Sequence, residues 1–352
     1  MFSNLHKPFI IAGPCSAESP EQLNTVAKTL SQSSNIKLLR AGIWKPRTRP
    51  NNFEGVGDVG LKWLVDAGKS YRLKTTTEVA NALHVEQALK AGVDVLWIGA
   101  RTTVNPFSVQ EIADAIKGSN VPVLIKNPIT PDLDLWVGAI ERVLGAGISD
   151  VAAIHRGFSS YEKTKFRNVP KWGIPVGLMQ IFPELPIICD PSHIGGNRQL
   201  IQEISQKAMD MNMVGLMVET HPDPDKALSD AAQQITPSHL LEIIKNITVR
   251  QKTPGRGKDY TLDDLRDKID EVDSELLTAL FKRFAIIDEI GTYKKEHNLT
   301  ILQIERWTEI LTTRTEKGMA NGLTKEFIDA ILKAIHKESV LRQTHILNSP
   351  ID

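Results

Sequence analysis

Cysteine is scarce in this chain: Cys15 and Cys189 are the only two among 352 residues. They cannot build a disulfide framework, so a reducing cytoplasm is the simplest home. Net charge is lacking too, because 42 Lys and Arg balance 42 Asp and Glu. That balance excludes a general attraction to nucleic acid or to an anionic membrane, and leaves anion binding to local clusters. No apolar run reaches the roughly 18 residues of a membrane span. Met1 to Lys7 lacks a signal-peptide core, and no glycine-rich dinucleotide fingerprint follows the first apolar run.

What the chain does have is a recurring unit of short apolar run and helical pattern. The runs are Phe9–Ala12, Ile36–Arg40, Leu73–Thr77, Val95–Gly99, Val121–Lys126, Val151–His155, Pro186–Asp190 and Gly215–Glu219. Continuous Ile, Leu and Val suit parallel strands buried on both faces. Eight such units in about 250 residues match a (β/α)8 barrel, with an open doubly wound sheet as the alternative. In "FIIAGPCSAESPEQL", Ser19 stands at a helix cap, Pro20 at the first helical position and Gln22 three residues after the cap. Cys15 therefore falls on the loop between a strand end and a helix start. A lone cysteine there is most simply a small buried hydrophobe, and Cys189 reads as core on the seventh strand.

The pattern changes near residue 246. The predicted organisation is a barrel over 1–246, a basic linker with Pro254, Gly255 and Gly257 over 247–260, and a helical domain over 261–352. The first helix carries a stripe of Leu265, Ile269, Val272, Leu276, Leu280, Phe284, Ile287 and Ile290. Helices near Gln303–Lys317 and Thr324–Leu347 follow. Three helices cannot cover so long a stripe within one chain, so a partner chain, making a homodimer, is expected to cover it.

In a barrel, reactive groups gather at the carboxyl ends of the strands. All eight expected ends carry polar or charged residues. One set, Cys15, His193, Glu219 and Asp230, suits a divalent transition metal. The other, Lys45, Arg47, Arg101, Lys126 and Arg156, is cationic, and implies phosphorylated or carboxylated substrates.

The segments "GPCSAES", "KPRTRP", "GARTTVNPF", "KNP", "HRG", "DPSH" and "ETHPDP…ALSD", in this order, resemble 3-deoxy-D-arabino-heptulosonate 7-phosphate (DAHP) synthase, most closely its short-barrel (type Iβ) branch. That family condenses phosphoenolpyruvate with erythrose 4-phosphate and releases phosphate, using a divalent metal ion such as Mn²⁺, with Zn, Fe or Co also compatible. The resemblance makes Cys15, His193, Glu219 and Asp230 metal ligands. It places Lys45, Arg101, Lys126 and Arg156 on phosphoenolpyruvate, and Arg47 and Thr48 on the sugar phosphate. His155 and His221 are expected to be structural or to stand just behind the site residues. A related synthase makes 3-deoxy-octulosonate 8-phosphate; it carries an Ala-Asn-Arg-Ser type segment where this chain has Lys45-Pro46-Arg47-Thr48.

Residues 262–347 resemble the all-helical chorismate mutases through "LRDKIDEVDSELLTALFKR", Tyr293-Lys294-Lys295, Arg306 and "ESVLRQ". The resemblance assigns Arg266, Arg283, Lys294, Arg306, Ser339 and Gln343 to a chorismate or prephenate site. Arg283 and Lys294 share a helix face by spacing, whereas Arg266 points about 100° away and, by resemblance, serves the partner chain's site. Gln303 and Trp307 stand where the family usually has acidic residues. An inactive dimerisation and regulatory module is the alternative reading. The mutase ligand is also expected to feed back on the barrel.

Overall fold

The computed structural model describes residues 1–2, 7–45, 53–250 and 259–349, with backbone alone over 259–264. Arg47, Thr48 and most of the expected linker lie outside these residues. The chain divides into two compact units, Met1–Lys252 and Thr253–Asp352.

In the first unit, strands β1 (Phe9–Gly13), β2 (Ile36–Arg40), β3 (Lys74–Val79), β4 (Val95–Ile98), β5 (Val123–Lys126), β6 (Val151–His155), β7 (Ile187–Cys189) and β8 (Gly215–Glu219) form a closed barrel in chain order. Every neighbouring pair is parallel, and β8 closes on β1 from Phe9↔Gly215 to Gly13↔Glu219. The helices are α1 (Pro20–Leu30), α2 (Val59–Tyr71), α3 (Ala82–Ala91), α4 (Ala100–Thr103), α5 (Pro106–Ile116), α6 (Leu133–Gly145), α7 (Gly173–Ile181), α8 (Pro191–Gly195), α9 (Ile201–Asp210) and α10 (Pro237–Asn246).

Local chemistry sets the boundaries. Ser19 Oγ accepts from Gln22 N at 3.1 Å, while Gln22 Oε1 reaches back to Glu18 N at 2.9 Å, so α1 starts at Pro20. Strand β7 is shorter than the apolar pattern implies because Asp190 is drawn off as the cap of α8. Strand β4 stops at Ile98 because Gly99 caps α4. Strand β5 starts after Pro122, which has no N–H to give the ladder.

Side chains alternate along each strand. Phe9, Ile11, Leu38, Val95, Trp97, Leu124, Ala152, Ile154, Ile188 and Met217 fill the barrel interior with Phe2 beneath. Ile10, Ala12, Leu39, Leu96, Ile125, Ala153, Cys189 and Val218 face the helices. Cys189 is core, as expected. The inward positions two residues beyond this apolar plug are Arg40, Glu78, Lys126, Arg156, Asp190 and Glu219, one charged layer above one dry layer.

The second unit holds α11 (Asp259–Glu296), α12 (Ile304–Ala320) and α13 (Lys325–Asn348). Helix α13 packs on the C-terminal half of α11, where Gly291 lets Ile346 and Gln343 approach and Arg342 pairs with Asp288. The N-terminal half of α11 leaves its stripe uncovered within the unit: Val272 is 61% and Leu276 60% exposed.

Candidate active site

Trp97 is the floor of the barrel mouth. Its Nε1 donates to Glu78 Oε2 at 2.9 Å; Arg40 lies 4.9 Å and Lys126 Nζ 5.7 Å from its ring centre. Gly99 gives the Glu78 carboxylate room beside it, since a Cβ there would sit 2.0 Å from Glu78 Oε1.

Lys45, Lys126 and Arg156, of the cationic set, stand at this end of the barrel. Lys126 Nζ contacts Asp190 Oδ2 at 2.9 Å, with both side chains buried. Asn127 ties the ends of β5 and β6, donating to Gly157 O at 2.8 Å and accepting from Arg156 N at 2.7 Å. Arg156 is buried and donates to Asn168 Oδ1 at 2.8 Å. Burial pushes it down to about 10; Asp190 opposes the fall, while Arg167 and Arg101 add to it. Arg101 projects from the exposed side of α4. Lys45 Nζ reaches Cys15 Sγ at 3.0 Å. These cations are therefore partly matched by the site's own acids, Asp190 and Glu219.

The metal-type donors fall into two neighbouring pairs. Cys15 Sγ lies 3.3 Å from Asp230 Oδ2, and His193 Nε2 lies 3.8 Å from Glu219 Oε1. Among the described residues no three such donors stand close enough together to hold an ion as they are placed. The chemistry of the set still fits one. Glu219 Oε1 is buried and accepts no hydrogen bond, although Arg40 Nη2 is 3.1 Å away. Burial, then the Glu219 charge, push the Cys15 thiol up to about 12. A divalent cation beside it reverses that balance in favour of thiolate. Burial keeps His193 below the ordinary imidazole range, against the pull of Asp190. Asp190 resists its own burial because His193 and Lys126 hold it well below the usual carboxylate range.

His155 is enclosed by Trp136, Phe158 and Trp172, and His221 Nε2 faces Glu18 Oε2 at 3.3 Å. Arg40, Asp190, Arg167, Asn168 and Gln233 also line or support the site without having been singled out. Arg40 was detectable: it ends an apolar strand on the inward parity.

In the helical unit, Arg283 Nη1 donates to Ser339 Oγ at 2.8 Å. Gln343 is buried with its Oε1 unpartnered, and Lys294, also buried, donates to Ile301 O at 2.6 Å. Trp307 stacks on His336 at 3.9 Å. Burial and the nearby Arg314 push Arg283 below its ordinary value. Arg306 lies apart, paired with Glu309 on the surface. Arg266 precedes Arg283 by about 25 Å of helix, at 1.5 Å per residue, so it does not reach this cluster.

The family model described as the DAHP synthetase I family matches residues 4–253. That of chorismate mutase type II matches residues 265–344. A curated relative from Thermotoga maritima, phospho-2-dehydro-3-deoxyheptonate aldolase, is 33% identical over 238 residues, covering 68% of this chain and 68% of its own. A 2-dehydro-3-deoxyphosphooctonate aldolase from Variovorax paradoxus is 26% identical, covering 68% of this chain and 88% of its own. The crystal structure of the Thermotoga maritima DAHP synthase superposes with a TM-score of 0.61 at 32% identity, covering 68% of this chain and 67% of that one. Eight parallel strands, a charged layer at their carboxyl ends and these matches lead to one conclusion: the chain belongs to the DAHP synthetase I family, and its C-terminal helices form a chorismate mutase type II unit.

Proposed function

We propose that the chain is a bifunctional enzyme of the shikimate pathway, working in the cytoplasm. Its barrel joins phosphoenolpyruvate to erythrose 4-phosphate, giving 3-deoxy-D-arabino-heptulosonate 7-phosphate and phosphate. Its helical unit rearranges chorismate to prephenate. The observation that carries the first reading is the charged layer of Arg40, Lys126, Arg156, Asp190 and Glu219 directly above the Trp97 floor.

In this reading Lys45, Arg101, Lys126 and Arg156 bind the phosphate and carboxylate of phosphoenolpyruvate, and Arg47 and Thr48 take the sugar phosphate. Cys15, His193, Glu219 and Asp230 hold a divalent cation, Mn²⁺ or a similar ion. When bound, that ion supplies Lewis-acid polarisation of the aldehyde oxygen. The buried cations hold phosphoenolpyruvate with its methylene carbon toward the aldehyde carbon, and the closed barrel floor keeps bulk water from below. Carbon–carbon bond formation leaves a cation at C2 that water captures, and phosphate departs. Lys126 and His193 stand close enough to Asp190 to share proton traffic with it.

In the helical unit, Arg283, Lys294, Ser339 and Gln343 compact the dicarboxylate and stabilise its charge-separated transition state, which needs no covalent help. Arg266 acts in the partner's site, Arg306 closes the flank, and two chains pair through the exposed stripe of α11. Chorismate or prephenate bound there inhibits the barrel by favouring one arrangement of the units.

The tests use the full-length chain. A strong chelator should abolish DAHP synthase activity and Mn²⁺ restore it, whereas Cys15→Ala should bind the ion poorly and recover little activity with Mn²⁺. Activity of Cys15→Ala unchanged in chelator removes the metal reading. Arg283→Ala or Lys294→Ala should abolish chorismate turnover; a wild-type chain with none leaves the helical unit as an assembly module. Millimolar prephenate without effect on the barrel rate ends the feedback reading. Turnover of a five-carbon sugar phosphate in preference to erythrose 4-phosphate replaces the substrate assignment with the octulosonate one.

A further inference from the structure

Between β6 and α7, Arg167 and Asn168 stand side by side and touch both sets of site residues. Arg167 Nη1 donates to Asp230 Oδ1 at 2.9 Å and to Gln233 Oε1 at 2.7 Å. Gln233 Nε2 in turn donates to Glu219 Oε2 at 2.6 Å. One guanidinium nitrogen thus fixes one carboxylate directly and a second through an amide. It holds the Asp230 oxygen that faces away from Cys15, leaving Oδ2 toward the thiol.

Asn168 does the same on the other side. Its Oδ1 accepts from Arg156 Nη1 at 2.8 Å, and its Nδ2 donates to His193 O at 2.6 Å. The segment itself cannot drift. Asn168 N donates to Ile194 O at 3.1 Å and Arg167 N to Gly195 O at 3.3 Å, so both residues are laced to α8. Gly196, at φ +62°, makes room for the Arg167 side chain, since a Cβ there would lie 2.4 Å from Arg167 Cβ. Gly157, at φ +76°, does so for the Asn168 backbone, where a Cβ would lie 2.6 Å from its carbonyl oxygen.

We propose that Arg167 and Asn168 are positioning residues: Arg167 orients Asp230 and Glu219 toward the divalent cation, and Asn168 locks Arg156 of the phosphoenolpyruvate group to the backbone that carries His193. This rests on the ligand set given above. The charge of Arg167 opposes a second cation nearby, but its side chain is 50% exposed, so water screens that repulsion while the hydrogen bonds persist. Hydrogen bonds that orient ligating carboxylates are worth about 10–100-fold in metal affinity, so orientation outweighs repulsion.

The experiment titrates Mn²⁺ into metal-free full-length protein without substrates, reading free ion by electron paramagnetic resonance. Arg167→Ala should raise the dissociation constant about 10–100-fold. Arg167→Gln, which keeps a neutral donor, should recover part of the loss and carries the test if the alanine variant does not fold. Gln233→Leu, which spares the bond to Asp230, should cost less than Arg167→Ala. In steady-state assays Asn168→Ala should raise KM for phosphoenolpyruvate more than it lowers kcat, and Asn168→Asp, which keeps the acceptor for Arg156 but loses the donor to His193 O, should recover only part of KM. Unchanged or tighter Mn²⁺ binding in Arg167→Ala overturns the role of Arg167. Unchanged KM in Asn168→Ala overturns that of Asn168. Cys15→Ala separates the two levels. If it binds Mn²⁺ like wild type, the ligand set itself is wrong. If it alone loses the ion, only the positioning roles fall.

Discussion

The Lys126–Asp190 pair allows a quantitative test. Its side chains are 5% and 0% exposed, and the charged atoms are 2.9 Å apart. Asp190→Asn keeps the shape but leaves a buried ammonium without its counter-charge. Breaking a buried pair in this way costs about 3–5 kcal/mol. The face of Trp97, 5.7 Å from Lys126 Nζ, supports the orphaned cation by about 0.5–2 kcal/mol, so the lower half of the range is expected. At about 2–4 °C per kcal/mol for a domain of this size, the barrel transition should fall by roughly 6–16 °C. Lys126→Met is milder, because His193 N still donates to Asp190 Oδ1 at 3.0 Å and the His193 ring stays beside Oδ2 at 2.8 Å. The double variant should cost less than the two single costs added, by about 0.5–3 kcal/mol. Urea denaturation of the full-length chain, followed at the barrel transition, gives all three values. A loss below about 1 kcal/mol in Asp190→Asn, or strict additivity, refutes the pairing argument.

Three more outcomes are expected. Gly13→Ala would place a Cβ 2.0 Å from Arg40 O at φ +149°; backbone cannot yield there, so the variant should melt several degrees lower and bind phosphoenolpyruvate worse, and a wild-type melting curve contradicts this. Burial, reinforced by Arg156, pushes His155 down to about 3, so below pH 6.5 only the unfolded chain takes up its proton. Stability should therefore fall by about 1.4 kcal/mol per pH unit from this group below pH 6.5. His155→Phe should flatten that slope in urea melts at pH 5.0–6.5, and equal slopes speak against it. Val272→Asp with Leu276→Asp should convert a dimer to monomers in sedimentation velocity, and an unchanged sedimentation coefficient removes α11 as the interface.

Much of this was legible in the sequence because buried parallel strands write continuous apolar runs, and eight of them did so. The strand ends were less legible. Asp190 looked like the end of a strand, yet it serves as the cap of α8 and the partner of Lys126. Arg40 was absorbed into an apolar run, although alternation from Leu38 puts it on the inner face. Arg167 and Asn168 left no local signal at all, because their partners Asp230 and His193 lie 63 and 25 residues away. The α11 stripe was plain from its period, and its exposure within the unit follows from a helix longer than its neighbours.

The closure of β8 on β1 also sets a clock on synthesis. Cys15 and Asp230 meet across 215 residues of chain, so the ribosome must add all of them before the first donor can meet the last. At about 5–20 residues per second that interval is roughly 10–40 s. For that time the Cys15 thiol travels with neither Asp230 nor Glu219 beside it, and the strand that will pair with β8 presents an open edge. A nascent chain stalled before Gly215 carries an unsealed sheet, the state in which chaperone capture or mispairing with a second nascent copy competes with folding.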